Sequence, residues 1–502
     1  MRADTKIIFE MFDTESKAVS TPSCSQSQTD VLTLKKETAD QSNYATTEPN
    51  GFYLDGSCKI LTALPTGLYS DMMSGADGVF EQPVVLEISF SQPVTSSGVT
   101  LYFPQGEYPT AVSVQWYSGG NVLKEAQYSP DSMVFFCKGD VEQFDNLTLT
   151  FYGTAIPQHY IKLCGIDYGQ ALQFGSDKII KSNVAQDISL LCDEIAVNTL
   201  EFTVSDKEKL FSVVSDNSIF FAAQENQKIS AYTTIGGQEQ KVGTFYLKSI
   251  TGSGITAKFT AQDSIGVLDG EEDIEDTYFD TDFATFCTQM LEGYKYTIDE
   301  SLKTAKIMGY LEKCSRREAL QQACFAVGAV VNTQGGEEIK IYPLAAKPSQ
   351  LIKASQMFAG SKVESVKPYK SISLTVHSFA SDGTDTETVI NHIINEKGKG
   401  KVQITDAVFV NADNYDAVLQ RLTEYYSHNV LYKFSLPLTK LFTMGDVLMS
   451  YLDKSYIKGS LTEFDVNLTG GLVAAVTVRG NAFAITDAEY AGEIYLGERS
   501  VV

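Results

Sequence analysis

The chain has 502 residues, 43% of them hydrophobic, and sets 39 basic side chains against 63 acidic ones for a net charge of −24. That length supports three or four domains, each able to bury its own core. It contains no run of eighteen apolar residues to span a membrane, and the opening MRADTKIIFEMFD lacks the apolar stretch of a secretory signal. A surface this acidic, with a pI near 4.6, repels nucleic acid and anionic lipid. It serves solubility, or more sharply lines a passage through which DNA slides without sticking.

Residues 1–50 read as an N-terminal arm and linker, polar and Ser/Thr/Gln-rich after IIFEMF. From 51 to 170 short strand-like runs alternate with Gly/Pro turns: PVVLEISFSQP, GVTLYFPQG, AVSVQWYSGG, NVLKEAQYSP, SMVFFCKG and NLTLTFYG. That spacing predicts an antiparallel β-sandwich. Val112, Val114 and Trp116 alternate with Ser113, Gln115 and Tyr117, which gives a dry face and a wet one. Trp116, the single tryptophan, therefore reads as core. Sugars are bound by aromatic faces near loop tips, so Tyr69, Tyr108, Tyr117 and Tyr128 are candidate carbohydrate contacts.

Residues 171–270 read as a small β-barrel, and 429–490 read as the same piece again. The first runs NTLEFTV, QKISAYT, KVGTFYLKSITGSGITAKFTAQ. The second runs NVLYKFSL, GDVLMSYLD, IKGSLTEFDVNLTGGLVAAVTVRG. Each has a strand opening at Gly243 or Gly459, then a glycine turn into a strand ending near Phe259 or Val476. Three copies of a chain that carries one barrel twice present six similar units, on which a sixfold tube can dock.

Between the two barrels, 271–345 reads as an α/β domain. Phe283, Phe286, Cys287 and Met290 have helical spacing. Ser315 and Glu318 form a capping-box pattern ahead of a helix that ends near Gly328. Gly335 and Gly336 turn a two-strand unit. The run Asp269–Asp282 holds eight carboxylates and no base. It lacks the glycine and terminal glutamate of an EF-hand and reads as a solvated connector, able to take up a divalent ion adventitiously. Residues 346–428 form a connecting segment with a polar insertion and a helix over 414–426, and 491–502 is a tail.

Catalytic signatures are missing. There is no H-E-x-x-H, no G-x-S-x-G, no P-loop and no dinucleotide fingerprint. Among the four histidines, His392 stands alone and reads as a surface residue. Acidic residues are too many to select a glycosidase pair. No catalytic, metal or cofactor-binding residue is assigned, no cofactor is expected, and the chain is expected not to be an enzyme. Eight scattered cysteines without a C-x-x-C pair point to synthesis in a reducing cytoplasm.

DEIAVNTLEFTV, the strand Gly243–Leu247, AQDSIGVLDG and GYLEKCSRREALQQACFAVGAVV, with the closing GDVLMSY and IKGSLTEFDVNLTGGLVAAVTVRG, resemble bacteriophage tail hub (baseplate hub, tail-tip) proteins. The stretch from YATTEPNGFYLDGS through the sandwich resembles an added galactose-binding-like module. The resemblance implies a mainly β fold with α+β parts: an N-terminal β-sandwich, then a two-barrel phage tail hub with a small α/β domain. It implies a structural virion protein at the distal end of the tail, made in the host cytoplasm. Its chains would form a homotrimer, a pseudo-sixfold ring that continues the tube. The partners implied are the tail tube protein, the distal tail protein and tail-tip or fibre proteins, with DNA passing through unbound. The alternative is an adhesin that attaches to a host cell-wall glycan through the sandwich. Hubs that carry a lysozyme or peptidase segment differ from this chain, so wall digestion is expected of another protein.

Overall fold

The computed structural model describes residues 4–35, 44–61, 67–212, 219, 223, 225–270, 273–345, 347–379, 384–452, 455–484, 494–496 and 499–501. The chain is mainly β, with few helices. It divides into two compact units, Phe9–Leu172 and Met1–Ile8 with Gln173–Val502. No helix among the described residues is long and apolar enough to cross a membrane.

In the first unit, the residues expected as an arm already hold structure. Strand β1 (Thr5–Phe12) alternates buried and half-buried side chains, and helix α1 (Thr14–Val19) is capped by Asp13, which accepts from the Ser16 amide at 2.9 Å. Strand β2 (Ser20–Ser23) then joins the main sheet. The other strands are β3 (Leu68–Met73), β4 (Val79–Tyr102), β5 (Pro109–Ser118), β6 (Asn121–Tyr128), β7 (Val134–Thr154), β8 (Tyr160–Leu163) and β9 (Gly165–Phe174).

Strands β4 and β7 pair along nearly their whole length with repeated register shifts. Such bulges bend long strands. One half of the pair carries β2, β5 and, beyond it, β6, while the other carries β9. Both halves feed one core around Trp116, Leu86, Leu149, Leu101 and Ile166. Trp116 is 1% exposed. A Cβ placed on Gly139 would stand 2.7 Å from the Trp116 ring, so the indole needs a glycine beneath it.

In the second unit the repeat is real at the level of strand pairing. The first copy is β10 (Ile179–Asp187), β11 (Thr199–Ser205), β12 (Lys228–Ile235), β13 (Gln238–Ser253) and β14 (Thr256–Gln262). Its order is β10–β11–β14–β13–β12, all antiparallel. The intervening α/β part begins with β15 (Ile274–Asp282), α2 (Phe283–Met290), β16 (Lys306–Cys314) and α3 (Arg316–Val327). It continues with β17 (Ala329–Asn332) and β18 (Ile339–Pro343).

After it come β19 (Pro348–Ile352), β20 (Lys362–Ser365), β21 (Ser371–Phe379), β22 (Asp385–Ile393) and α4 (Tyr415–Ser427). The second copy is completed by β23 (Val430–Pro437), β24 (Val447–Leu452), β25 (Ser455–Asn467) and β26 (Val473–Ala484). Its order, β20–β23–β26–β25–β24, is the same.

Neither copy closes into a barrel among the described residues, which corrects the two-barrel expectation. The edges that would meet are taken elsewhere in the first copy: β12 also pairs with the opening residues of β1, which belong to this second unit, and β10 pairs with β25 of the second copy. The two modules are thus one continuous sheet.

The α/β part buries the expected helix faces. Phe283, Phe286, Cys287 and Met290 are fully buried, as are Ala319, Leu320, Ala323 and Cys324. The capping box forms, with the Ser315 amide donating to Glu318 Oε2 at 2.9 Å, and Gly328 ends α3 in the left-handed region at φ 82°. Asp263 ties this part to the first module. Its carboxylate, fully buried, accepts from Asn198 Nδ2 at 2.8 Å and Thr333 Oγ1 at 2.9 Å. Burial pushes its pKa up to about 7 against the pull of those hydrogen bonds.

Two outcomes follow. Gly139→Ala is expected to lower sandwich stability by about 1–3 kcal/mol through overpacking against Trp116, read by thermal denaturation. A raised carboxylate pKa favours the folded state most in acid, and that contribution is lost as pH rises toward 7. The wild-type melting temperature should therefore fall between pH 5 and 8 by more than that of Asp263→Asn, and equal slopes would refute the assignment.

Candidate interaction surfaces

Of the four tyrosines singled out in the sandwich, Tyr117 and Tyr128 lie apart. Tyr117 lies at one end of the β5–β6 pair, opposite Val122, and Tyr128 lies at the other, opposite Val112. Five residues of strand separate those positions, about 17 Å. The Tyr117 hydroxyl donates to Gln115 Oε1 at 2.9 Å, and Tyr128 donates to the Lys138 carbonyl. Tyr108 packs edge-on against Phe103. Tyr69 shares a hydrogen bond of 3.0 Å with Thr46 and packs 5.0 Å from the Tyr160 ring.

What sequence reasoning missed sits beside Tyr69. Lys162, 2% exposed, holds Glu48 at 2.8 Å and also pairs with Glu107. Its ammonium lies 5.6 Å from the Tyr69 ring centroid. Burial pulls the lysine pKa down, but Glu107 and Glu48 outweigh it and hold it at about 12. Glu48 also accepts from the Tyr160 amide at 3.0 Å. A lysine in an alternating strand gives no sequence signal that two distant glutamates will close over it.

The acidic run is no loose connector. Most of it is β15, antiparallel to β16, with Tyr278 turned into the core. Basic residues of β16 and α3 answer it: Lys306 at 3.1 Å from Asp282, Lys313 at 3.1 Å from Asp273, and Arg317 at 2.6 Å from Asp269. One group among the described residues brings three potential metal ligands within 4.8 Å of one another, His377, Asp385 and Glu387. His377 Nδ1 already lies 2.7 Å from Asp385 Oδ2. His392 is exposed, on β22.

The seam between the modules is the other chemically distinct surface. Residues 183–187 of β10 run antiparallel to 467–463 of β25, with Asp187 opposite Glu463 and Val184 opposite Val466. Both valines are fully buried. Partial burial, then Asp465, Glu463 and Glu194, push the Asp187 pKa up to about 6.

No protein-family model matches the sequence, and no curated protein matches it. Solved structures do, among them phage tail and baseplate proteins. A tail protein from Neisseria meningitidis MC58 is 10% identical, with 62% of this chain and 94% of that one covered at a TM-score of 0.45. A tail protein of prophage MuSo2 from Shewanella oneidensis is 11% identical over 62% and 95%, at a TM-score of 0.42. A prophage tail protein from Listeria monocytogenes EGD-e is 11% identical over 62% and 91%, at 0.38.

Lys162→Met leaves the buried Glu48 carboxylate and the partly exposed Glu107 carboxylate without their shared cation. It is expected to cost about 3–5 kcal/mol of sandwich stability at pH 7. Chemical denaturation of the two proteins at pH 7 would show it.

Proposed function

We propose that the protein is a structural phage tail hub protein, without catalytic activity, at the distal end of the tail. Three chains set six like modules in a pseudo-sixfold ring. The ring joins the tail tube to the tip proteins and leaves a channel for DNA.

The observation that carries this reading is the repeated strand order, β10–β11–β14–β13–β12 and β20–β23–β26–β25–β24. Two like modules per chain convert threefold assembly into near-sixfold symmetry. A head-to-tail contact between unlike surfaces builds such a ring when its rotation closes. The acidic composition suits a lumen that DNA must pass without binding. Neisseria, Shewanella and Listeria tail proteins share the fold only distantly, so the repeat and not the likeness is the basis of the assignment.

Mass photometry of the full chain should give a species of three times 55.0 kDa, and negative-stain class averages should show a ring with six lobes. A monomer at high concentration, or a ring without sixfold modulation, would overturn the reading.

A further inference from the structure

The two modules match residue by residue at their edges. Phe202 lies opposite Phe259, which lies opposite Ile250; Phe434 lies opposite Val476, which lies opposite Phe464. The bulge falls just after Leu247 in β13 and just after Leu461 in β25. Leu247 bonds through both backbone groups to Asn226 and Gln227, each at 2.8 Å. Leu461 bonds in the same way to Gly445 and Asp446, at 3.0 and 2.9 Å. Likewise Val184 of β10 lies opposite Leu200, and Val363 of β20 lies opposite the corresponding residue, Tyr432. So β20 is the second copy of β10, and β13 is the first copy of β25.

Only one of the two possible seams forms within the chain. The far edge of β10 pairs with the second half of β25. Among the described residues, no strand pairs with the far edge of β20 or with the matching edge of β13 after its bulge. All four side chains of β20 are exposed, Val363 by 45%, whereas its counterpart Val184 is fully buried. On β13, Lys248, Ser249, Thr251, Gly252 and Ser253 are exposed. An apolar residue on an open edge strand invites a further strand.

We infer that β20 of one protomer pairs antiparallel with residues 249–253 of β13 in a second copy of this chain. The register copies the internal seam. Val184 opposite Val466 becomes Val363 opposite the partner's Gly252, and Ala185 opposite Asp465 becomes Glu364 opposite the partner's Thr251. The occupant is a second copy because the chain itself holds both halves of the same joint. The inference rests on the ring reading for the number of copies, and on the repeat alone for the strands and register.

The test uses the full chain with the exposed Cys58 replaced by serine. Glu364→Cys and Thr251→Cys are introduced together and oxidised mildly, then run on a non-reducing gel. Directly opposed antiparallel residues stand about 4.5–5.5 Å apart at Cα, within disulfide range. The expected result is a covalent ladder ending at the trimer, absent from either single variant and at least tenfold weaker when Glu364→Cys is combined with Ser253→Cys.

A second variant, Val363→Asp, changes a side chain exposed in the protomer. It is expected to raise the subunit dissociation constant at least tenfold without shifting the protomer's far-ultraviolet spectrum. A trimer by mass photometry that forms no ladder, or that tolerates Val363→Asp, sinks the proposed joint and leaves the ring reading standing. A monomer that forms no ladder sinks both.

Discussion

Backbone hydrogen bonding at strand edges is the constraint on which this structure turns. A strand offers N–H and C=O groups on both sides, and a buried edge left without partners costs about as much as each hydrogen bond it forgoes. The second unit meets that demand by spending one module's edge on the other. Asn183–Asp187 lies against Glu463–Asn467, and the pair buries Val184 and Val466 completely. Because β10 is committed there and β12 receives β1, neither edge is left to close a barrel. The α/β part then has a fixed platform. Asn198 at the start of β11 and Thr333 after β17 converge on the buried Asp263.

The helices were legible because their signals are local. Phe283, Phe286, Cys287 and Met290 repeat at helical spacing and all four are buried. Ser315, Glu318 and Gly328 mark the ends of α3 where caps demand those residues. The duplication was legible for a related reason, since alternating apolar residues and turn glycines survive where identity does not. The seam was not legible. It joins residues about 280 positions apart, and nothing in NVAQD or EFDVN names the other.

Charge misled in the same way at two places. Eight carboxylates within fourteen residues suggested a solvated connector; the described ones are exposed, yet most of the run is a strand, β15, paired with one bearing Lys306 and Lys313, so the repulsion is answered from outside the run. The polar stretch after Phe379 suggested an excursion, yet Asp385–Ile393 pairs with β21 along nine residues. Two of the candidate sugar contacts, Tyr117 and Tyr128, lie apart for a geometric reason. Tyr117 and Tyr128 belong to a hairpin whose ends are far apart, and no spacing rule in one sequence says which tyrosines share an end. Lys162 was hidden altogether, because its meaning comes only from Glu48 and Glu107.

A duplicated module with one internal joint carries an asymmetry that a single module would not. The joint uses the β10 edge of the first copy and the β25 edge of the second. Its leftover counterparts are necessarily the β20 edge of the second and the β13 edge of the first. On the inferred joint these two surfaces face each other between copies, since the internal joint already fixes the two modules of one chain side by side. Head-to-tail repetition of the joint either closes or runs on as a filament. Symmetric pairing of a surface with itself would leave the other edge open, as a template for further strands. Closure satisfies every copy of both edges at once.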